Sequence, residues 1–248
     1  MNLRVVTYAE RPELEDRWDE TVGPVWPEFL LHDAIVNELW GQLFEIAPEH
    51  QFYVVDGDTD SVVCVGNSLP FRWDRNPASL PDGIDGVLPL AIEQYENGIE
   101  PNTLCALQAV VVPAYQGQGH AAVPIRQMAD AARRAGFADL VAPVRPSWKQ
   151  RFPLIPMQEY ASWTRSDGLP FDPWFRVHAR MGASFLQVCH NSLRIVGTVD
   201  EWRAWTALEF PGSGSYPIPG ALVPIEIDVA RDEGVYIEPN RWMHHRIR

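Results

Sequence analysis

The string Val111-Val112-Pro113-Ala114-Tyr115-Gln116-Gly117-Gln118-Gly119-His120-Ala121 lies between a strongly apolar run and a helical one. Its glycines let the backbone turn sharply and approach a ligand closely. The free N–H groups of a helix starting there would converge on one point, with the positive end of the helix dipole behind them. That arrangement suits a pyrophosphate. A Gly-x-Gly pair by itself also fits a plain tight turn. The string matches neither G-x-x-x-x-G-K-[ST] nor G-x-G-x-x-G, which argues against a P-loop nucleotidase and a typical dinucleotide site.

The surrounding pattern supplies elements to hold such a turn. Leu104 to Val112 is apolar nearly throughout, as a strand buried on both faces should be. A helix follows and should end at Gly136, and Asp139 to Val144 gives a second apolar strand, making a strand-helix-strand crossover. Upstream, the pattern predicts a strand over Leu3 to Thr7, a helix starting near Arg11-Pro12 and a second over His32 to Ile46. A hairpin of Gln51–Val55 with Ser61–Val65 follows, then a helix over Val87 to Asn97 stopped by Gly98. Downstream, residues 145–173 read as an insertion rich in proline and aromatics, lying over one face of the sheet. A helix over Asp172 to Met181 precedes short strands at Phe185–Val188 and Leu193–Val196. A C-terminal decoration, 199–248, carries a short helix and strands near Ile225–Val229 and Val235–Ile237. No repeat or long linker appears, so a single domain over 1–248 is expected; a two-domain division would fall near Arg145 or Phe210.

The formal charge of −13 disfavours nucleic acid and anionic membrane as partners and suits a cationic acceptor. Three scattered cysteines, Cys64, Cys105 and Cys189, with no C-x-x-C pair, fit a reducing cytoplasm, and each lies in an apolar run typical of a small buried hydrophobe. No apolar stretch reaches the roughly 18 residues of a spanning helix. His244-His245 lacks the partner spacing of a metal site, so no metal is expected.

The turn string closely resembles the cofactor motif of the GNAT acyltransferases, V-x-P-x-x-[QR]-x-x-G-x-[GA], with Val111, Pro113, Gln116, Gly119 and Ala121 on its defining positions. The order of elements from about Leu3 to Val196 is also similar. The chain is thereby identified as a bacterial-type member. The resemblance implies an α/β (α+β) fold whose mixed, mostly antiparallel sheet is splayed at the motif strand, with helices on both faces. It implies acyl-CoA, acetyl-CoA first, as donor. The backbone of Ala109, Val110 and Val111 would hold the pantetheine arm. After Gln116, the amides of Gly117, Gln118, Gly119, His120, Ala121 and Ala122 would hold the pyrophosphate. Pro124 departs from a regular motif helix: its missing N–H would leave the His120 carbonyl unpartnered, so a kink or loosened turn is expected there.

Direct attack by an amine on a thioester needs a neutral nucleophile, a polarised carbonyl and a proton for the thiolate. In the resembled family a tyrosine on the later helix usually gives that proton, at Y-x-[KR]-x-G-[FA]. Here the string is His178-Ala179-Arg180-Met181-Gly182-Ala183, so His178 takes the position and would have to be protonated to act as an acid. Tyr160, in the insertion, is the alternative acid. The usual strand glutamate is missing, Gln108 being the polar residue there; Glu100 and Glu159 are candidate bases by proximity only. Arg145 to Arg151 gathers three positive charges that could serve the nucleotide end. The resulting expectation is acetyl transfer to a small-molecule amine. Its alternatives are a catalytically silent acyl-CoA sensor and an acyltransferase for a protein or carrier-bound acceptor. Trp202, Trp205, Tyr216, Tyr236 and Trp242 suit a core, an acceptor pocket or the interface of a homodimer.

Overall fold

The computed structural model describes residues 1–247. The N-terminal strand β1 (Leu3–Thr7) pairs antiparallel with β2 (Gln51–Asp56), and β2 with β3 (Val62–Phe71). Both hairpin strands are almost wholly buried. β3 runs six residues past the expected Val65 because its polar middle is satisfied internally. Gln51 Oε1 accepts from Asn67 Nδ2 and the Ser68 N–H, each at 3.2 Å, while Gln51 Nε2 donates to the Ser68 carbonyl at 2.9 Å.

Between β1 and β2 the chain forms short turns rather than two long helices: a 3-10 segment over Pro12–Arg17, then α1 (Trp18–Thr21), α2 (Ala34–Leu39) and α3 (Gln42–Ile46). The expected helix over His32 to Ile46 is interrupted at Trp40-Gly41, where the bonds tighten to Leu43 N–H→Trp40 O and Phe44 N–H→Gly41 O. Helix α4 (Gly83–Glu96) begins four residues before the predicted start. Gly83, Gly86 and Pro89 hide that start by reading as loop.

The crossover runs β4 (Thr103–Val111), α5 (Ala122–Arg134), β5 (Asp139–Val144). Helices α6 (Met157–Tyr160) and α7 (Pro173–Arg180) follow. The two strands expected near 185–196 are one irregular strand, β6 (Ser184–Gly197). After α8 (Val199–Thr206) come β7 (Gly214–Tyr216), β8 (Ile225–Asp228) and the long β9 (Glu233–Arg246).

The nine strands of the described residues form one sheet ordered β1-β2-β3-β4-β5-β9-β8-β7, with β6 also on β9. Every pairing is antiparallel except β4 with β5. The mixed, mostly antiparallel sheet expected from the sequence is therefore present. The C-terminal segment needs correction, since β9 pairs β5 from Asp139↔Arg246 to Val144↔Arg241 and is central to the sheet rather than decoration. Helix α5 covers one face through Met128, Ala131 and Ala132, while α4 covers the other through Val87, Leu88 and Ala91.

Candidate functional site

β4 and β5 pair only at Thr103↔Asp139, Leu104↔Leu140 and Cys105↔Val141. Beyond Cys105 the strands part, and a cleft of about 860 Å³ opens between them. Two features of β4 prepare that edge. Ser68 pairs Ala106 while Asn67 pairs Gln108, so Leu107 forms a bulge that re-aims the strand where the splay begins. The Val112 N–H bonds the Val63 carbonyl of β3 at 3.0 Å. By strand alternation, Ala109 and Val111 turn their backbone polar groups to the splay and Val110 turns its own to β3. Val110 adds only its side chain, packed with Leu14, Tyr53 and Val65.

The turn closes on itself before the helix begins. Gln116 Nε2 donates to the Val111 carbonyl and Gln118 Nε2 to the Ala114 carbonyl, both at 2.9 Å. Gly117 (φ +74°) and Gly119 (φ +88°) lie in the left-handed region, and a Cβ added to either would meet nothing within 4 Å. Glycine is thus required by conformation, and the space beside it is open to a ligand. Gln116, Gly117, Gly119, His120 and Ala121 line the cleft; Gln118 and Ala122 sit just outside it. The unpartnered His120 carbonyl expected from Pro124 does not occur. Pro124 is the third residue of α5, where an N–H would have no intrahelical partner anyway, and the His120 carbonyl accepts from Val123 N–H at 2.9 Å.

Helix α7 forms the opposite wall. Asp172 caps it by accepting from Trp174 and Phe175 N–H groups and also from Trp148 N–H at 2.8 Å, which ties the 145–173 segment to the helix start. Trp174, Val177 and His178 face the cleft. His178 is 3% exposed, and its Nδ1 lies 2.9 Å from Nε2 of His245. Burial, and secondarily the charge of His245, lowers the His178 pKa to about 3. Burial, and secondarily His244, lowers that of His245 to about 4. Both rings are neutral near pH 7, so the protonated imidazole required for His178 to act as an acid is not available. Its Nε2 has no hydrogen-bond partner among the described residues.

Other candidates lie elsewhere. Tyr160 is outside the cleft and 1% exposed, donating to Asp172 Oδ2 at 2.7 Å, with its pKa pushed well up, first by burial. It supports the cap residue of α7. Glu100 and Glu159 are exposed and do not line the cleft. The basic segment is largely committed to the protein: Arg145 Nε bonds both oxygens of Glu238 at 3.0 and 2.9 Å, and Lys149 Nζ bonds the carbonyls of Phe152 and Leu222. Burial lowers the Lys149 pKa to about 8. The adjacent histidines diverge, His244 bonding Asp139 at 2.7 Å and His245 bonding His178. Among the described residues, no group of three or more His, Cys, Asp or Glu could hold a metal ion.

The cleft is also lined by residues the sequence did not single out. Trp26 from the loop before α2, Ile84 of α4, and Glu238 and Asn240 of β9 line the cleft together with Gln108. Asn240 Nδ2 donates to Ser192 Oγ at 2.8 Å, while its Oδ1 has no partner among the described residues. The alternating polar pair Glu238 and Asn240 was the available signal, but both fall beyond the expected end of that strand.

No protein-family model matches the chain. It is similar to the arginine N-acetyltransferase avaD of Aspergillus versicolor, 32% identical over 97% of this chain and 93% of that protein. Among solved structures, it resembles the loading GNATL domain of CurA from Lyngbya majuscula, with TM-score 0.62 and 18% identity over 99% of this chain and 97% of that one. It also resembles the GNAT-like decarboxylase GphF in complex with isobutyryl-CoA, with TM-score 0.56 and 16% identity, each chain fully covered. These two likenesses concern the fold.

Proposed function

This chain belongs to the GNAT family of N-acetyltransferases, and from that premise we propose that it transfers an acetyl group from acetyl-CoA to an amine of a small molecule, arginine being the first acceptor to test. The observation that carries the reading is the glycine turn set at the mouth of the β4–β5 splay, with the backbone edge of Ala109 and Val111, unpaired by any strand, leading inward from it and only the Val111 carbonyl held, by Gln116. The turn amides suit the pyrophosphate, and that edge suits the amides of the pantetheine arm. The thioester would then lie toward the Leu107 bulge, with the acceptor entering from the Trp26 side. The arginine assignment draws on the named activity of the similar Aspergillus protein; the acidic net charge agrees with a cationic acceptor.

His178 enters this proposal as a neutral group. If His245 Nε2–H donates to His178 Nδ1, then His178 Nε2–H is a donor, suited to hydrogen-bonding the departing sulfur without losing its own proton. Thiol release from acetyl-CoA with arginine and a panel of amines, with product masses, tests the function. An acetylated amine formed in step with thiol is the expected result. Tight acetyl-CoA binding with no turnover on any amine would refute it and favour a sensor.

A further inference from the structure

Among the described residues, the acid-base groups that line the cleft are few, and His120, the one imidazole there that is not buried, sits on the glycine turn rather than on the strands beyond it. Glu238, the one carboxylate lining the cleft among the described residues, is fully buried and engaged by Arg145 and the Tyr236 hydroxyl, and the two buried imidazoles, His178 and His245, are weak bases. Gln108 on β4 is neutral, yet it lines two cavities. One is the cleft. The other is a chamber of about 10 Å³ behind it, lined by Glu15, Thr21, Tyr53 and Asn67 among others. That volume is close to what one water molecule occupies, and these side chains supply the polar partners a buried water needs.

We propose that Glu15 is the proton acceptor for the acceptor amine, reached from the cleft past Gln108 through a single water in this chamber. The proposal rests on the acetyl-transfer reading. Glu15 Oε2 accepts from the Tyr53 hydroxyl at 2.5 Å, which fixes a carboxylate that lines the chamber. Burial is the largest influence on Glu15 and raises its pKa, the Tyr53 hydrogen bond opposes this, and the neighbouring Asp16 adds to the rise. A carboxylate so raised is a better base. Tyr8 also acts electrostatically on Tyr53. The cations of the Glu15 segment, Arg11 and Arg17, are engaged by Asp60. Asn67 and Gln108, facing the chamber from β3 and β4, are uncharged.

The chemistry balances. An ammonium acceptor passes one proton through the water to the Glu15 carboxylate, which later releases it to solvent. The freed amine attacks the thioester carbonyl, a C–N bond forms and the C–S bond breaks. The second nitrogen proton goes to the departing sulfur. The products are the amide and the free thiol.

The test compares the kcat pH profile of the wild type with that of Glu15→Gln, with acetyl-CoA affinity by calorimetry as the folding control. Glu15→Gln should lower kcat at least tenfold with affinity kept, replacing the plateau above the acidic limb with a rate that climbs with pH. Adding Gln108→Glu to that variant places a carboxylate at the cleft itself and should recover most of the loss. An unchanged profile in Glu15→Gln would overturn the relay while leaving the acetyl-transfer reading intact. A wild type inactive on every amine would overturn both. Should Glu15→Gln not fold, Gln108→Leu closes the passage without touching the Glu15–Tyr53 pair: the same loss supports the relay and normal kcat refutes it.

Discussion

Asp33 and Asp85 converge on one backbone N–H, that of Arg194, which donates to Oδ2 of Asp33 at 3.2 Å and to Oδ2 of Asp85 at 2.8 Å. Asp33 also caps α2, accepting from Val36 N–H at 2.9 Å. Two carboxylates this close cannot both ionise cheaply. Burial first, and the charge of Asp33 second, raises the Asp85 pKa to about 7. The folded protein therefore holds a proton that the unfolded chain would release near pH 4. That stabilisation is fully present below about pH 4 and is lost as pH rises through 7. Asp85→Asn, whose amide can donate to Asp33, should remove this term. The melting temperature of the wild type minus that of the variant should fall as pH rises from 5.5 to about 7 and level off above it, with the variant more stable at pH 8.5. Parallel curves would exclude the shared proton.

The two turn glycines separate binding from folding. Gly117→Ala or Gly119→Ala forces a Cβ into the left-handed region, at a cost of about 1 kcal/mol, without a clash inside the protein. The melting temperature should drop by only a few degrees. Acetyl-CoA affinity should fall about tenfold or more, because the new methyl points into the space proposed for the pyrophosphate. Calorimetric titration checks this, and undiminished affinity would place the cofactor elsewhere.

Much of the fold was legible because local signals agreed. Gly98, Gly136 and Gly182, all at positive φ, lie just past α4, α5 and α7 as expected. The apolar run of β5 matched at both ends. β9 was not legible beyond its first few residues, since Glu238, Pro239, Asn240, Arg241, His244 and His245 look like loop composition. They are carried in a central strand because partners distant in sequence satisfy them: Arg145 for Glu238, Asp139 for His244 and His178 for His245. The part of the cleft proposed for the donor follows a contiguous string and could be read from it. Trp26, Ile84, Glu238 and Asn240, on the side proposed for the acceptor, are brought to the cleft only by the folded sheet.

Tyr160 gives a prediction opposite to that of a catalytic acid. Its hydroxyl is one of several donors to Asp172, so Tyr160→Phe should cost about 1 kcal/mol of stability and leave kcat within about twofold of wild type. Asp172→Ala removes the helix cap together with the bonds from Ser147 and Trp148, and should be far more destabilising. Thermal denaturation and thiol release measure the two effects. A tenfold loss of kcat in folded Tyr160→Phe would return the hydroxyl to the reaction.

The His178–His245 pair opposes the aspartate pair in its pH dependence. Both rings titrate in the fold well below the usual 6.5, at about 3 and about 4, so the unfolded chain binds protons that the folded one refuses. Their contribution is present above about pH 6.5 and is lost as pH falls toward 4. With the Asp85 term lost on the alkaline side, stability should peak near pH 6 to 7. His245→Phe should flatten the acid side of the melting curve while leaving the alkaline side unchanged. The same neutrality bears on catalysis: no limb of the kcat profile between pH 6 and 8 should come from His178. His178→Phe should lower kcat by removing the proposed hydrogen bond to sulfur, without changing where the profile bends. A bend near pH 6.5 that disappears in His178→Phe would mean that cofactor binding restores an ordinary imidazole, and His178 would then have to be treated as an acid.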